Sequence, residues 1–240
     1  MMILGTKPFI LNTQRFRKFA TSDAIIYLSE FNKDSYCDSM FKRLGVHFPH
    51  RLNNAVDKRK AEFLTGRYCA SKALQEIGVK NYTVSADEHR CPLWPEHVAG
   101  SISHSHNIAV AAVAFKTTIF GIGIDIEKIL SAEMVNGIKE QVLFGHESGL
   151  LDIDYISNEI MVSLIFSIKE SFFKAAYPST GHYFGFDAVS IDYLDFTSNI
   201  FRLTLLQDLN KLLRKGATYA GKFTFLNGHV FSILTIQKQS

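Results

Sequence analysis

The sequence predicts an α+β protein of two similar lobes, each a long helix packed on a mostly antiparallel sheet. Three observations lead there. Residues 54–77 and 158–177 carry apolar residues at the helical period, short apolar or alternating runs of strand length flank both, and Asn227-Gly228 joins two such runs as a hairpin turn. Each half therefore holds one long helix and several strands. The chain has 240 residues, 47% of them hydrophobic, enough for one large core or two smaller ones.

The first helix is read in NAVDKRKAEFLTGRYCASKALQEIG. Asn54 is placed to cap it, Asp57 falls at the third helical position, and Phe63, Leu64, Ala70, Leu74 and Ile77 recur on its apolar side before Gly78 offers a left-handed stop. RCPLWP (90–95) is punctuated by proline and predicts an extended loop. GSISHSHNIAVAAVAF (100–115) predicts a polar turn feeding an apolar strand, and FGIGIDIEKI a second strand. Only Lys116 to Ile119 separate the two, so they form a hairpin or a crossing between lobes.

The second helix, NEIMVSLIFSIKESFFKAAY, is expected to end at Pro178. Met161, Leu164, Ile165, Ile168 and Phe172 form its apolar stripe. Ser163, Ser167, Glu170 and Lys174 line the other side, a polar stripe suited to face a cleft. From Phe184 onward VSIDYLDF, FRLTLL and YAGKFTFLNGHVFSILTI predict antiparallel strands. FLTGRYCASKAL and FSIKESFFKAAY show only faint likeness to one another.

A formal charge of +3 with dispersed basic residues argues against a nucleic-acid partner and leaves room for a small polyanion or an acidic protein. QRFRKF (14–19) mixes base and aromatic, but so short a run is expected to be an amphipathic surface piece. Three cysteines without paired spacing suggest neither a disulfide framework nor a structural metal site. MMILGTKPFI has no leader pattern and no apolar run approaches the roughly 20 residues of a membrane span, so a cytoplasmic, unprocessed protein is expected.

On a strand, Gly121, Gly123, Asp125 and Glu127 share one face. Two carboxylates at i and i+2, with β-carbons roughly 7 Å apart, can share a hard cation such as magnesium with substrate phosphates. The glycines are expected to clear that face for something bulky. Glu170 and Lys174 form an i, i+4 pair, either a surface salt bridge or an acid and a phosphate anchor. Arg59 and Arg67 lie about 80° apart around the first helix and suit phosphate or carboxylate. Ser103 and His104, beside the expected turn, can donate hydrogen bonds to phosphate oxygens; no G-x-S-x-G elbow supports a hydrolase nucleophile there.

RKAEFLTGR, RCPLWP, GSISHS, GIGIDIE and FSIKESFFKA, in that order from about Arg59 to Lys174, resemble the 4′-phosphopantetheinyl transferases, in particular the enterobactin synthase component D subgroup of siderophore pathways. The resemblance implies a monomer of two pseudo-twofold lobes, 1–118 and 119–240, with coenzyme A in the cleft between them. It implies Asp125, Glu127 and Glu170 as ligands of magnesium, with manganese the other candidate, and Glu170 also as the base. Arg59 and Arg67 would hold the nucleotide end with its 3′-phosphate, Ser103 and His104 the phosphates, and Lys174 the diphosphate. Arg90 and Pro92 fall in the loop passing the nucleotide, where Arg90 and Cys91 depart from the family's usual lysine and glycine. The implied reaction moves phosphopantetheine from coenzyme A to a serine of an apo peptidyl or aryl carrier protein, which accounts for the lack of a nucleophile in this chain. A magnesium-dependent phosphohydrolase and a non-catalytic coenzyme-binding module are the rivals.

Overall fold

The computed structural model describes residues 7–19, 24–153 and 155–238. The opening residues 1–6, read above for a leader, lie outside them. The chain divides into two compact units, residues 1–115 and 116–240.

The first unit holds β1 (Ile10–Arg15), β2 (Ile25–Phe31), α1 (Ser39–Arg43), α2 (Asp57–Glu76), β3 (Val98–Ser105) and β4 (Ile108–Phe115). Its four strands run in the order β1-β2-β4-β3, every neighbouring pair antiparallel. α2 packs on β2, β3 and β4, and its Ala61, Leu64, Ala70 and Leu74 are fully or almost fully buried. In QRFRKF both Phe16 and Phe19 are buried, ring against ring at 5.3 Å, so its aromatics point inward rather than offering a stacking platform.

Three local expectations change here. Asn54 sits in a turn before the helix; the cap position is Val56 in extended geometry, with no side-chain cap bond, and Asp57 occupies the first helical position, where its charge complements the exposed N–H groups. The polar run GSISHS is strand β3, not a turn, because every residue from Val98 to Ser105 pairs with β4. The turn falls at His106-Asn107, with His106 at φ 55°. RCPLWP is a loop as read, closed by a bridge between Ala86 and Pro92.

β4 and β5 belong to different sheets, so residues 116–118 cross from one unit to the other. The second unit holds β5 (Ile119–Lys128), α3 (Ala132–Val142), α4 (Asn158–Thr180), β6 (Val189–Asp195), β7 (Ile200–Leu205), β8 (Thr218–Leu226) and β9 (His229–Gln237). The sheet order is β5-β9-β8-β7-β6, again antiparallel throughout. Asn227 and Gly228 make the β8–β9 turn, both at positive φ as that hairpin type requires. The apolar stripe of α4 is buried to 1% exposure or less at Met161, Leu164, Ile165, Ile168 and Phe172.

Ser157 caps α4 by accepting from the Ile160 N–H, and the helix runs through Pro178 to Thr180. Proline removes one N–H in the last turn. The hydroxyls of Ser179 and Thr180 donate to the Ala176 and Tyr177 carbonyls, and Gly181 at φ 67° closes the end.

α4 lies so close to β5 that the glycines of GIGID have a different purpose from the one expected. A β-carbon on Gly121 would meet the Ala175 carbonyl oxygen at 2.3 Å, and one on Gly123 would meet that of Ser171 at 1.7 Å. The cleared face is occupied by helix backbone, not by ligand. Gly123→Ala is therefore expected to lower unfolding stability by about 3 kcal/mol, the upper range for overpacking. Gly137→Ala, with open space around it at an exposed position of α3, is expected to raise it by about 0.5–1 kcal/mol. Urea unfolding of the two variants checks the contrast.

Candidate active site

The second unit gathers the acids. Asp125, next along the glycine face of β5, is 3% exposed, and the Lys174 Nζ donates to its Oδ1 at 2.6 Å. One turn back on α4, Glu170 Oε2 stands 3.9 Å from the same ammonium. Glu127 is half-buried, its Oε1 accepting from the Lys128 N–H at 3.2 Å. Burial pulls the Lys174 pKa down, but Asp125, Glu170 and Glu127 outweigh it, and the ammonium is held above its ordinary value. Three carboxylates from two elements thus bear on one positive charge. Burial raises the Glu170 pKa, with Lys174 opposing and Asp125 adding to the rise. Among the described residues no group of three or more His, Cys, Asp and Glu stands arranged to hold a metal ion; the cation amid these acids is the ammonium.

Only half of the polar stripe on α4 is open. Ser163 and Ser167 are fully buried. The Ser163 hydroxyl donates to the Glu159 carbonyl and accepts from the Leu130 N–H, and Ser167 shares a 2.8 Å hydrogen bond with Ser232 of β9. These serines fasten the helix to its sheet, and Glu170 and Lys174 are the part that chemistry can use.

Behind Glu170 lies a pair the sequence reading passed over. Lys169 and Glu147 are both wholly buried, Nζ to Oε2 at 2.6 Å, and the same ammonium donates to the Val142 and Phe186 carbonyls. Glu147 also accepts from the Phe144 and Ile191 N–H groups. Burial lowers the Lys169 pKa against the pull of Glu147. A lysine between Ile165 and Phe172 on the apolar side was the available signal, but its partner 22 residues away was not.

The first unit gathers the bases. Arg59 Nη1 donates to His104 Nε2 at 2.9 Å, which makes that nitrogen the acceptor and puts the ring proton on Nδ1, 3.6 Å from Glu62 Oε2. Glu62, unremarked in the sequence, is one turn from Arg59 on the same helix face. Arg67 is 8% exposed; its Nε donates to the Val84 carbonyl at 2.8 Å and its Nη2 to that of Ser85 at 3.4 Å. Burial, with the charges of Arg51 and Arg59, brings its pKa down to about 10. Alternate residues of β3 face opposite ways: His104 turns toward Arg59, and Ser103 is buried on the other face. Arg90 sits at φ 68° in the loop, its N–H donating to the Asp87 carbonyl, and Pro92 is half-buried nearby.

The family model described as the 4′-phosphopantetheinyl transferase N-terminal domain matches residues 48–114, and that of the 4′-phosphopantetheinyl transferase superfamily matches 121–230. Enterobactin synthase component D of Salmonella typhi is 36% identical over 172 residues, 72% of this chain and 70% of that protein. The chain belongs to the 4′-phosphopantetheinyl transferase superfamily. Two further relatives fit the assignment. Enterobactin synthase component D of Salmonella typhimurium is 40% identical over 62% of this chain, the aligned stretch spanning 61% of that protein. The 4′-phosphopantetheinyl transferase Npt of Nocardia iowensis is 32% identical over 60% of this chain and 64% of its own length. In this transferase-family chain the acid cluster lies inside the superfamily match and the arginine–histidine cluster inside the N-terminal match.

Lys169→Met should lose about 3–5 kcal/mol of stability by stranding a buried carboxylate. Glu147→Leu combined with Lys169→Met should recover much of that, as denaturant titration of the single and double variants would show.

Proposed function

We propose that this protein transfers the 4′-phosphopantetheine arm of coenzyme A to a serine of an apo peptidyl or aryl carrier protein, releasing 3′,5′-adenosine bisphosphate, in nonribosomal siderophore synthesis. The observation that carries the reading is the convergence of Asp125, Glu127 and Glu170 on Lys174 within the superfamily match. On this reading the enzyme is a cytoplasmic monomer, and no helix among its described residues is long and apolar enough to cross a membrane.

The carrier serine Oγ attacks the β-phosphorus of coenzyme A, the phosphoanhydride P–O bond on the nucleotide side breaks, and its electrons leave with adenosine bisphosphate. Glu170 takes the serine proton; its raised pKa makes it a better base than an ordinary glutamate. The Lys174 ammonium stabilises charge on the diphosphate. Arg59 and His104 bind anionic oxygens of the nucleotide end, with Arg67, Arg90 and Pro92 shaping that part of the site.

Asp125, Glu127 and Glu170 do not stand as a ready metal site and would hold magnesium, or manganese in its place, only by drawing closer together; all three are hard oxygen donors, and their joint pull on an ammonium suits a cation. When bound, the ion would neutralise diphosphate charge.

Intact mass spectrometry of an apo carrier protein incubated with the enzyme, coenzyme A and magnesium tests the reading. A magnesium-dependent gain of one phosphopantetheine is expected, and Asp125→Ala should abolish it while remaining folded. Coenzyme A consumed with no gain in carrier mass would contradict the proposal.

The pH profile tests the base. Glu170 acts when deprotonated, so the rate should rise with pH through a limb that follows loss of its proton. Glu170→Gln should remove that limb and cost about 10²–10⁴ in kcat.

A further inference from the structure

A cavity of about 280 Å³ opens in the first unit, near the lower size of small-ligand pockets, about 300 Å³. Its lining includes Arg51, Phe63, Arg67, Ser71 and Ser85. Arg51 comes from the 3₁₀ turn His50–Leu52, ahead of α2 and outside every motif quoted above.

Phe63 is flanked by two guanidinium groups, Arg67 at 4.6 Å and Arg51 at 5.4 Å from the ring centre. The two arginines differ in what they can offer a ligand. Arg67 is buried and already spends Nε and Nη2 on the Val84 and Ser85 carbonyls, so it braces the cavity wall. Arg51 is exposed and lines the same cavity. It stands in the repulsive field of Arg59 and Arg90, opposed by Asp87, and Arg67 in turn feels Arg51 and Arg59. Positive charge gathered around a cavity gains from a polyanion, and a solvent-facing guanidinium can meet a phosphate with two parallel N–H bonds.

We infer that Arg51 is a specificity-determining residue that reads the terminal phosphate monoester on the nucleotide end of the ligand. The inference rests on the coenzyme A reading: coenzyme A carries a 3′-phosphate and dephospho-coenzyme A lacks it. Arg51 should therefore separate these two otherwise identical ligands, while Arg67 supports binding of both.

Calorimetric titration of the full chain and of Arg51→Gln and Arg51→Lys with both ligands tests this, alongside carrier modification by the wild type. The wild type should bind coenzyme A more tightly than the dephospho form. Arg51→Gln should weaken coenzyme A about tenfold or more and leave dephospho-coenzyme A within about twofold, with Arg51→Lys in between. Equal weakening of both ligands, or of neither, would overturn the role of Arg51, as would a wild type that binds neither. A wild type that discriminates between the ligands yet modifies no carrier would leave Arg51 in place and overturn the transferase reading instead.

Discussion

The near-contact of α4 with β5 is the constraint on which the second unit depends. At Gly121 and Gly123 the strand gives up side chains so that the carbonyls of Ala175 and Ser171 can occupy the space a methyl group would take. One strand step further, the same face carries Asp125 and then Glu127, and the same helix carries Glu170 and Lys174. Bringing the backbones together is what lets an aspartate that is 3% exposed reach a lysine on a neighbouring element. Buried serines hold the alignment, Ser163 to the Leu130 N–H and Ser167 to Ser232.

Charge is arranged differently in the two units. In the second, acids outnumber the lysine they surround, so the cluster favours further positive charge. In the first, Arg51, Arg59, Arg67 and Arg90 influence one another, with Asp87 and Glu62 as nearby acids. Each arrangement costs stability through like-charge repulsion and is relieved by a ligand of opposite sign. The Lys169–Glu147 pair is of another kind: closed, fully bonded and inaccessible, it ties the turn after α3 and the start of β6 to the helix that bears Glu170.

Much of this was legible in the sequence, where local periodicity reports directly on the neighbourhood. Alternation put Asp125 and Glu127 on one face, the four-residue step paired Glu170 with Lys174, and Asn227-Gly228 announced its hairpin. What escaped depended on partners remote in the chain. GIGID shows that a face is cleared but not whether helix or ligand fills it. SISHSH has the composition of a turn, and only pairing with the apolar β4 makes it a strand. Arg67 reads as a phosphate-binding arginine, and nothing local shows that its Nε and Nη2 also reach the Val84 and Ser85 carbonyls. Lys169 stands out on an apolar helix face, but Glu147 passes for a surface residue until packing brings it to that lysine.

The most direct test of the account is the transfer rate of Gly121→Ala, measured under conditions where circular dichroism shows the variant folded. A methyl group there meets the Ala175 carbonyl oxygen at 2.3 Å and must push α4 away from β5. If the close approach aligns Asp125 with Glu170 and Lys174, kcat should fall about 10²-fold, as a displacement of about 1 Å can do, while affinity for coenzyme A changes little. A folded variant with the wild-type kcat would contradict the dependence of the chemistry on this contact.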